Sequence, residues 1–319
     1  VTDPINTVYG GSTSTVVEEL RANGIDVVIT DLGPLRDSNP LYSALWRTFM
    51  QWFGNSPGGL LPHPFSAKAP DVSLRSYLAL LNFKANHRKV FVADAGDSSV
   101  SLVMSANPHD ASAAHSNVAL EIREAIAPDL FETENAVASF SGGQLSQGHF
   151  DTPDKEGDDL QIRVLTEASI HRAIIEEIDA AAAGDSIRLA MFYLSEFRII
   201  EALETAARRG ATIHMVLDPN KDAFGYEKNG IPNRPAAHEL TNDTENRIQV
   251  RWYDTRGEQF HSKMLFVQRG ALSTVILGSA NFTRRNLGNY NLELDVILKG
   301  GSDARVFADV DAYFDRIWN

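Results

Sequence analysis

The chain has 319 residues, with 29 Lys and Arg against 42 Asp and Glu, a formal charge of −13 at pH 7 and 43% hydrophobic residues. That is the balance of an ordinary soluble globular protein with one large core or two medium ones, and it argues against a nucleic-acid partner, because affinity for a polyanion comes from clustered Lys and Arg. The absence of cysteine excludes disulfides, thiolate metal sites and cysteine nucleophiles.

No run of about 18 apolar residues is present, so no segment reads as a membrane span. A chain that opens on Val1 and not Met is expected to be a processed or trimmed product, with any signal or anchor segment upstream. In chain order, residues 12–23 predict a helix, with a Ser/Thr cap ahead of Glu18 and Glu19 and Gly24 as its stop. Residues 25–30 predict a buried strand ending at Asp31. Residues 41–53 hold apolar side chains at helical spacing (Leu41, Leu45, Phe49, Phe53), widened by Trp46, Met50 and Trp52, with Arg47 as the one charge. Two readings stay open for this stripe: a buried core helix, or a lipid-facing or acyl-binding wall.

Residues 90–93 and 99–104 predict strands about a turn at 94–98. The Gly-, Ser-, Gln- and Asp-rich stretch 140–159 reads as a linker or mobile loop, and His149 within it as solvated. Further on, 186–194 predicts a strand, 198–209 a helix ended by Gly210, and 211–217 a strand ending at Asp218. Residues 303–318 predict an amphipathic closing helix. Helix, Gly, apolar strand and Asp occur in both halves, which predicts α/β lobes. The expected organisation is a first lobe over 1–140 without its first strand, a linker over 141–160 and a second lobe over 161–319.

One pattern is stated twice. His87-Arg88-Lys89 is followed by Ser105-Ala106-Asn107, and His261-Ser262-Lys263 by Ser279-Ala280-Asn281; the offsets 261−87, 263−89 and 281−107 are all 174. On a strand, His-x-Lys and Ser-x-Asn each place both side chains on one face. Two such half-sites gather two His, two Lys, two Asn and two Ser. Paired ammonium groups with amide donors suit a phosphate oxyanion. One neutral imidazole can attack phosphorus while the other protonates the leaving alcohol. The lysines carry the neutralising charge, and the motifs offer no carboxylate cluster for magnesium or calcium, so no metal and no cofactor are expected.

His87-x-Lys89, Asp94 five residues on, and Ser105-Ala106-Asn107 resemble the HKD motif of the phospholipase D superfamily. Asn86-His87-Arg88-Lys89 is similar to the first motif of bacterial cardiolipin synthases, and Gly278-Ser279-Ala280-Asn281 resembles the second. The resemblance implies a two-lobe α/β fold with one active site between lobes and a covalent phosphohistidine intermediate that water or an alcohol resolves. It implies His87 as nucleophile and His261 as general acid/base, with Lys89, Lys263, Asn107 and Asn281 on the phosphate oxygens and Ser105 and Ser279 assisting. Asp94 is then the structural motif acid, and Asn117 and Tyr193 are substrate-binding candidates.

Two departures stand out. Gln268 occupies the place of the second motif acid, where local rearrangement is expected. Asn291-Leu292-Glu293 resembles the synthases' Asn-x-Glu, so Glu293 is expected to brace the nucleophile across the lobe interface. The first copy offers Asn117-Val118-Ala119 there, with Glu121 the nearest acid. Tyr193 and Glu196 are expected at a strand end toward a pocket mouth; His109, Asp110 and His115 are entrance residues or solvated loop. The function expected is a phospholipase D or phosphatidyltransferase acting on phospholipid at a membrane surface, peripheral to a bacterial envelope or cytoplasmic membrane face, for which a monomer suffices. The alternatives are a nuclease, which would want a basic groove where Asp151, Asp154, Glu156, Asp158 and Asp159 stand, and an inactive lipid-binding scaffold.

Overall fold

The structure is a computed structural model that describes all residues except 66–68, 97, 109, 124–125, 147–159, 224–225, 228 and 245–246. His109 and His149 lie outside the described residues. In chain order the elements are α1 (Thr15–Ala22), α2 (Pro40–Leu45), α3 (Leu74–Leu80), β1 (Val90–Ala95), β2 (Ser98–Met104), α4 (Asp110–Ala113), β3 (Ala119–Arg123), α5 (Ala127–Phe140), β4 (Gln161–Thr166), α6 (Ala168–Asp179) and β5 (Ser186–Met191). They continue with α7 (Phe197–Arg208), β6 (Thr212–Leu217), β7 (Asp222–Ala223), β8 (Tyr226–Glu227), α8 (Asn233–Asp243), β9 (Ile248–Trp252), β10 (Lys263–Arg269), β11 (Leu272–Gly278), α9 (Arg284–Leu287), β12 (Leu294–Gly301) and α10 (Arg305–Trp318). Two compact units result: residues 1–87, 131–149 and 289–292 form one, and 88–130, 150–288 and 293–319 the other.

The second unit holds a seven-stranded sheet, ordered β4-β12-β11-β10-β5-β6-β9, and a three-stranded sheet, β1-β2-β3. Its strands bury alternate residues on opposite faces, as a period of two requires. Ile187, Leu189 and Met191 of β5, with Leu265 and Val267 of β10, meet Ile170, Ile174, Ile199 and Leu203 of α6 and α7 in one core. Ala190, Met264, Phe266, Val275 and Leu277 enter a second core with Val103, Ile122 and the apolar face of α10. The architecture is mixed α/β, two sheets flanked by helices.

The sequence repeat is visible as two antiparallel meanders, β1-β2-β3 and β10-β11-β12. Val90 pairs with Val103 as Met264 pairs with Leu277, at the constant offset of 174. The third strands are shifted by two more residues: Met104 faces Ala119, whereas Gly278 faces Asp295. The first meander therefore closes two residues sooner, which the motif spacing did not reveal.

The first unit is built differently. Ser14 caps α1 through Val17 N–H, as its sequence implies. The strand expected over 25–30 does not form: Ile25 is 50% exposed, and an isolated bridge between Thr2 and Ile29 is the only pairing there among the described residues. A β segment needs a continuous ladder partner, and Thr2 supplies a single rung.

The stripe over 41–53 corrects another reading. Pro40 starts α2, which passes into a π-turn over Trp46–Met50 closed by Gln51 N–H on the Trp46 carbonyl at 3.0 Å. The helix is no core element: Leu41 is 85%, Trp52 75% and Phe53 65% exposed, with Leu45 and Phe49 also open. Among the described residues no helix is long and apolar enough to cross a membrane.

Candidate active site

Lys89 immediately precedes β1 and Lys263 opens β10, so the His-x-Lys tripeptides lie at strand entrances and not on strands; both lysines are buried within the second unit, 5% and 1% exposed. Lys263 donates from Nζ to the His261 carbonyl at 2.7 Å and stands 5.2 Å from the Phe192 ring centre. Burial, and next the like charge of Lys89, hold its ammonium well below the ordinary lysine range, against the pull of Glu293, Asp295 and Asp218. Two cations that disfavour one another in a dry setting form a site that an anion stabilises.

His261 is 6% exposed; its N–H is tied to the Ser116 carbonyl at 2.8 Å, and its ring meets Phe192 edge-on at 4.9 Å. On its Nδ1 side lies Asn117 Oδ1 at 3.1 Å. Asn117, a substrate-binding candidate from sequence, also accepts from Ser105 Oγ and donates to two backbone carbonyls. Ser105 in turn accepts from Val118 N–H at 2.9 Å. Asn107 donates its backbone N–H to Ser112 Oγ at 2.9 Å and is half-buried. His115 accepts from Gln259 N–H and sits 6.0 Å, centre to centre, from His261. It lines the motif region, a role spacing alone left open.

The second meander builds the matching corner with an acid. Ser279 Oγ donates to Glu293 Oε2 at 2.6 Å and accepts from Leu294 N–H at 3.0 Å, and Asn286 donates to the other carboxylate oxygen. Glu293 is fully buried. Asn281 is buried too, with an Oδ1 that has no hydrogen-bond partner among the described residues. Asp295, which sequence reading passed over, accepts from Ala280 N–H at 3.0 Å, and burial pushes its carboxyl up to about 7. A Cβ on Gly278 would stand 2.5 Å from Asp295 Oδ1 and from the Leu294 carbonyl, so the glycine of Gly-Ser-x-Asn leaves room for that acid.

His87 belongs to the first unit, half-buried, with its N–H on the Leu292 carbonyl at 2.8 Å. Asp94 is exposed on β1, opposite Ser99. Gln268, where rearrangement was expected, keeps regular pairing with Ser186 and Ser273 and donates to Asp311 of α10. An amide makes that contact as a carboxylate facing Asp311 would not, so β10 needs no adjustment. The strand expected to reach Tyr193 ends at Met191. Tyr193 is half-buried beside Phe192, while Glu196 caps α7 at Ile199 N–H and pairs with His171 at 3.3 Å. Glu121 is spent on Arg123. The described residues contain one group of acids close enough to share a cation, Glu204, Glu239 and Asp243 on α7 and α8, and Glu204 already pairs with Arg208.

Residues 174–318 match the family model described as cardiolipin synthase, PLD-like domain. A search of curated proteins found no match. Among solved structures, the phospholipase D family member Nuc from Salmonella typhimurium is 23% identical, covering 50% of this chain and 95% of Nuc at a TM-score of 0.40. NucT from Helicobacter pylori is 16% identical, covering 50% and 96% at 0.38. Phosphatidylserine synthase from Haemophilus influenzae Rd KW20 is 13% identical but covers 93% of this chain and 75% of its own, at 0.56, which shows a shared fold.

Proposed function

We propose that this chain, whose residues 174–318 match the family model described as cardiolipin synthase, PLD-like domain, acts as a member of the phospholipase D superfamily, cleaving phosphodiester bonds of phospholipids and passing the phosphatidyl group to an alcohol or to water. The observation that carries this reading is the pair of buried, mutually disfavouring lysines, Lys89 and Lys263. A phosphodiester anion is the ligand such a cluster stabilises.

In this reading neutral His87 attacks phosphorus, the bond to the leaving alcohol breaks, and His261 gives that oxygen its proton. His261 then takes a proton from the incoming water or alcohol, whose oxygen displaces the phosphorus–nitrogen bond and restores His87. Lys89, Lys263, Asn107 and Asn281 bear the phosphate charge. The lysines neutralise that charge themselves, so activity is expected to survive EDTA; a rate that collapses on chelation and returns with added metal contradicts this mechanism.

The lipid assignment, and with it peripheral membrane association, draws on the exposed stripe over 41–53. Exposed aromatics beside an aliphatic face suit the interface of a bilayer. Replacing Trp52 and Phe53 together by Ser is expected to weaken vesicle binding about ten-fold or more, since each large apolar side chain contributes on the order of 1.5–3 kcal/mol when buried. Turnover of a short-chain soluble phosphodiester should not change. Equal loss on both substrates would remove the stripe from membrane binding.

The direct test incubates the protein with mixed phospholipid vesicles and a primary alcohol. Head-group exchange is expected, and loss of it in His87→Ala and His261→Ala. Cleavage of plasmid without lipid turnover would move the substrate to nucleic acid, and no turnover of either would leave a scaffold.

A further inference from the structure

We infer that Asn117 is a positioning residue that presets the tautomer of His261, a step that rests on the reading of His261 as general acid/base. The orientation of the amide follows from its partners. Asn117 Nδ2 donates to the carbonyls of Ser112 at 2.8 Å and His115 at 3.1 Å, which uses both of its hydrogens. Flipping the amide would set its oxygen against two carbonyl oxygens. Oδ1 therefore faces Ser105 Oγ and His261 Nδ1, both at 3.1 Å. The Ser105 hydroxyl gives its hydrogen to Oδ1 while accepting Val118 N–H. An oxygen fixed as acceptor requires a donor opposite, so His261 carries its hydrogen on Nδ1 and presents Nε2 for proton exchange.

The second meander identifies what Asn117 replaces. Ser105 with Asn117 and Val118 repeats, bond for bond, Ser279 with Glu293 and Leu294. Because β3 is shifted by two residues relative to β12, Asn117 and not Ala119 stands where the second copy has its carboxylate. The chain has thus kept the acceptor and discarded the charge at this histidine. Lys263, through Nζ on the His261 carbonyl, and the His115 ring are titratable neighbours of His261 in this unit. Lys263 is itself set against Lys89, Glu293, Asp295 and Asp218. A neutral partner beside these groups lets the imidazolium of His261 release its proton more readily than a carboxylate would, which favours the donor step to a leaving alkoxide.

The test is an imidazole 15N titration of the full chain labelled at histidine. Wild-type His261 is expected as the Nδ1–H tautomer above its titration; an Nε2–H tautomer overturns the inference without needing any variant to fold. Asn117→Ala should shift the population toward Nε2–H and lower kcat about 10- to 100-fold with little change in KM, the scale of loss for a partner that orients a functional histidine. Asn117→Asp, which restores an acceptor and adds charge, should recover much of kcat and move the titration of His261, with the alkaline limb of its pH profile, up by about one unit. An unchanged tautomer in Asn117→Ala, or an unmoved titration in Asn117→Asp, sinks the role of Asn117. Absence of lipid turnover in the wild type, with the tautomer as expected, sinks the functional reading instead.

Discussion

Lys263→Met is expected to lower phospholipid turnover by about a thousand-fold while leaving the protein at least as stable as before. A preorganised charge aimed at a developing oxyanion is worth on the order of 10²–10³ in rate, and here it works in a water-poor setting shared with Lys89. The same burial makes the ammonium costly to the fold. Its folded pKa lies below that of an unfolded lysine. Between the two values the unfolded chain binds more protons, so wild-type stability should rise with pH on approach to the alkaline range. Methionine fills a similar volume, relieves the repulsion from Lys89 and has no charge to desolvate, the two largest effects on this ammonium, which offsets the lost bond to the His261 carbonyl and the lost attraction to Glu293, Asp295 and Asp218. Thermal unfolding measured from neutral to alkaline pH should show the wild-type rise and its disappearance in the variant. A midpoint several degrees lower would make Lys263 a structural post, and undiminished turnover would remove it from the phosphate site.

How much of this was legible in sequence depended on whether a feature repeats or is compensated at a distance. The strands over 90–93 and 99–104, the helix before Gly210 and the closing helix follow from local periodicity, and the structure has them close to where the pattern puts them. The duplicated His-x-Lys and Ser-x-Asn fixed the two meanders because one offset held across three residue types. The same constant offset misled at the third strand, where two residues fewer in the first copy move the counterpart of Glu293 from Ala119 to Asn117. Register shifts of that kind change no local propensity and appear only when strands pair. Residues 25–30 look like a strand because apolar content is local, but a ladder needs a partner, and that is tertiary. The stripe over 41–53 has a core helix's periodicity; whether another element covers it is not encoded in the stripe itself. Asp295 has no local signal in sequence, because its donor is the backbone N–H of Ala280 and the space it fills is left by Gly278, both on the neighbouring strand segment.

Asp295 sets up the other large effect. In the unfolded chain this carboxyl ionises near 3.8, and in the folded chain near 7, because burial and then the proximity of Glu293 outweigh the backbone N–H donors and Lys263. Between those values the unfolded chain has released the proton and the folded chain has kept it. Folding then takes up a proton, and stability falls as pH rises from about 4 to about 7. A difference of about three units corresponds to roughly 4 kcal/mol. Asp295→Asn keeps an acceptor for Ala280 N–H, fits the space left by Gly278 and has nothing to ionise. Unfolding free energies should therefore converge near pH 4 and separate as pH rises, with the variant several kcal/mol more stable above pH 7. Parallel curves for the two proteins would show that Asp295 ionises normally in the fold. The gain in stability should cost activity, since the ionised form of Asp295 helps Lys263 keep its proton. Turnover of the variant at neutral pH is expected to drop several-fold and to recover as pH is lowered. Under the proposed function, a carboxylate that destabilises the fold at neutral pH serves to keep charged the ammonium assigned to the phosphate.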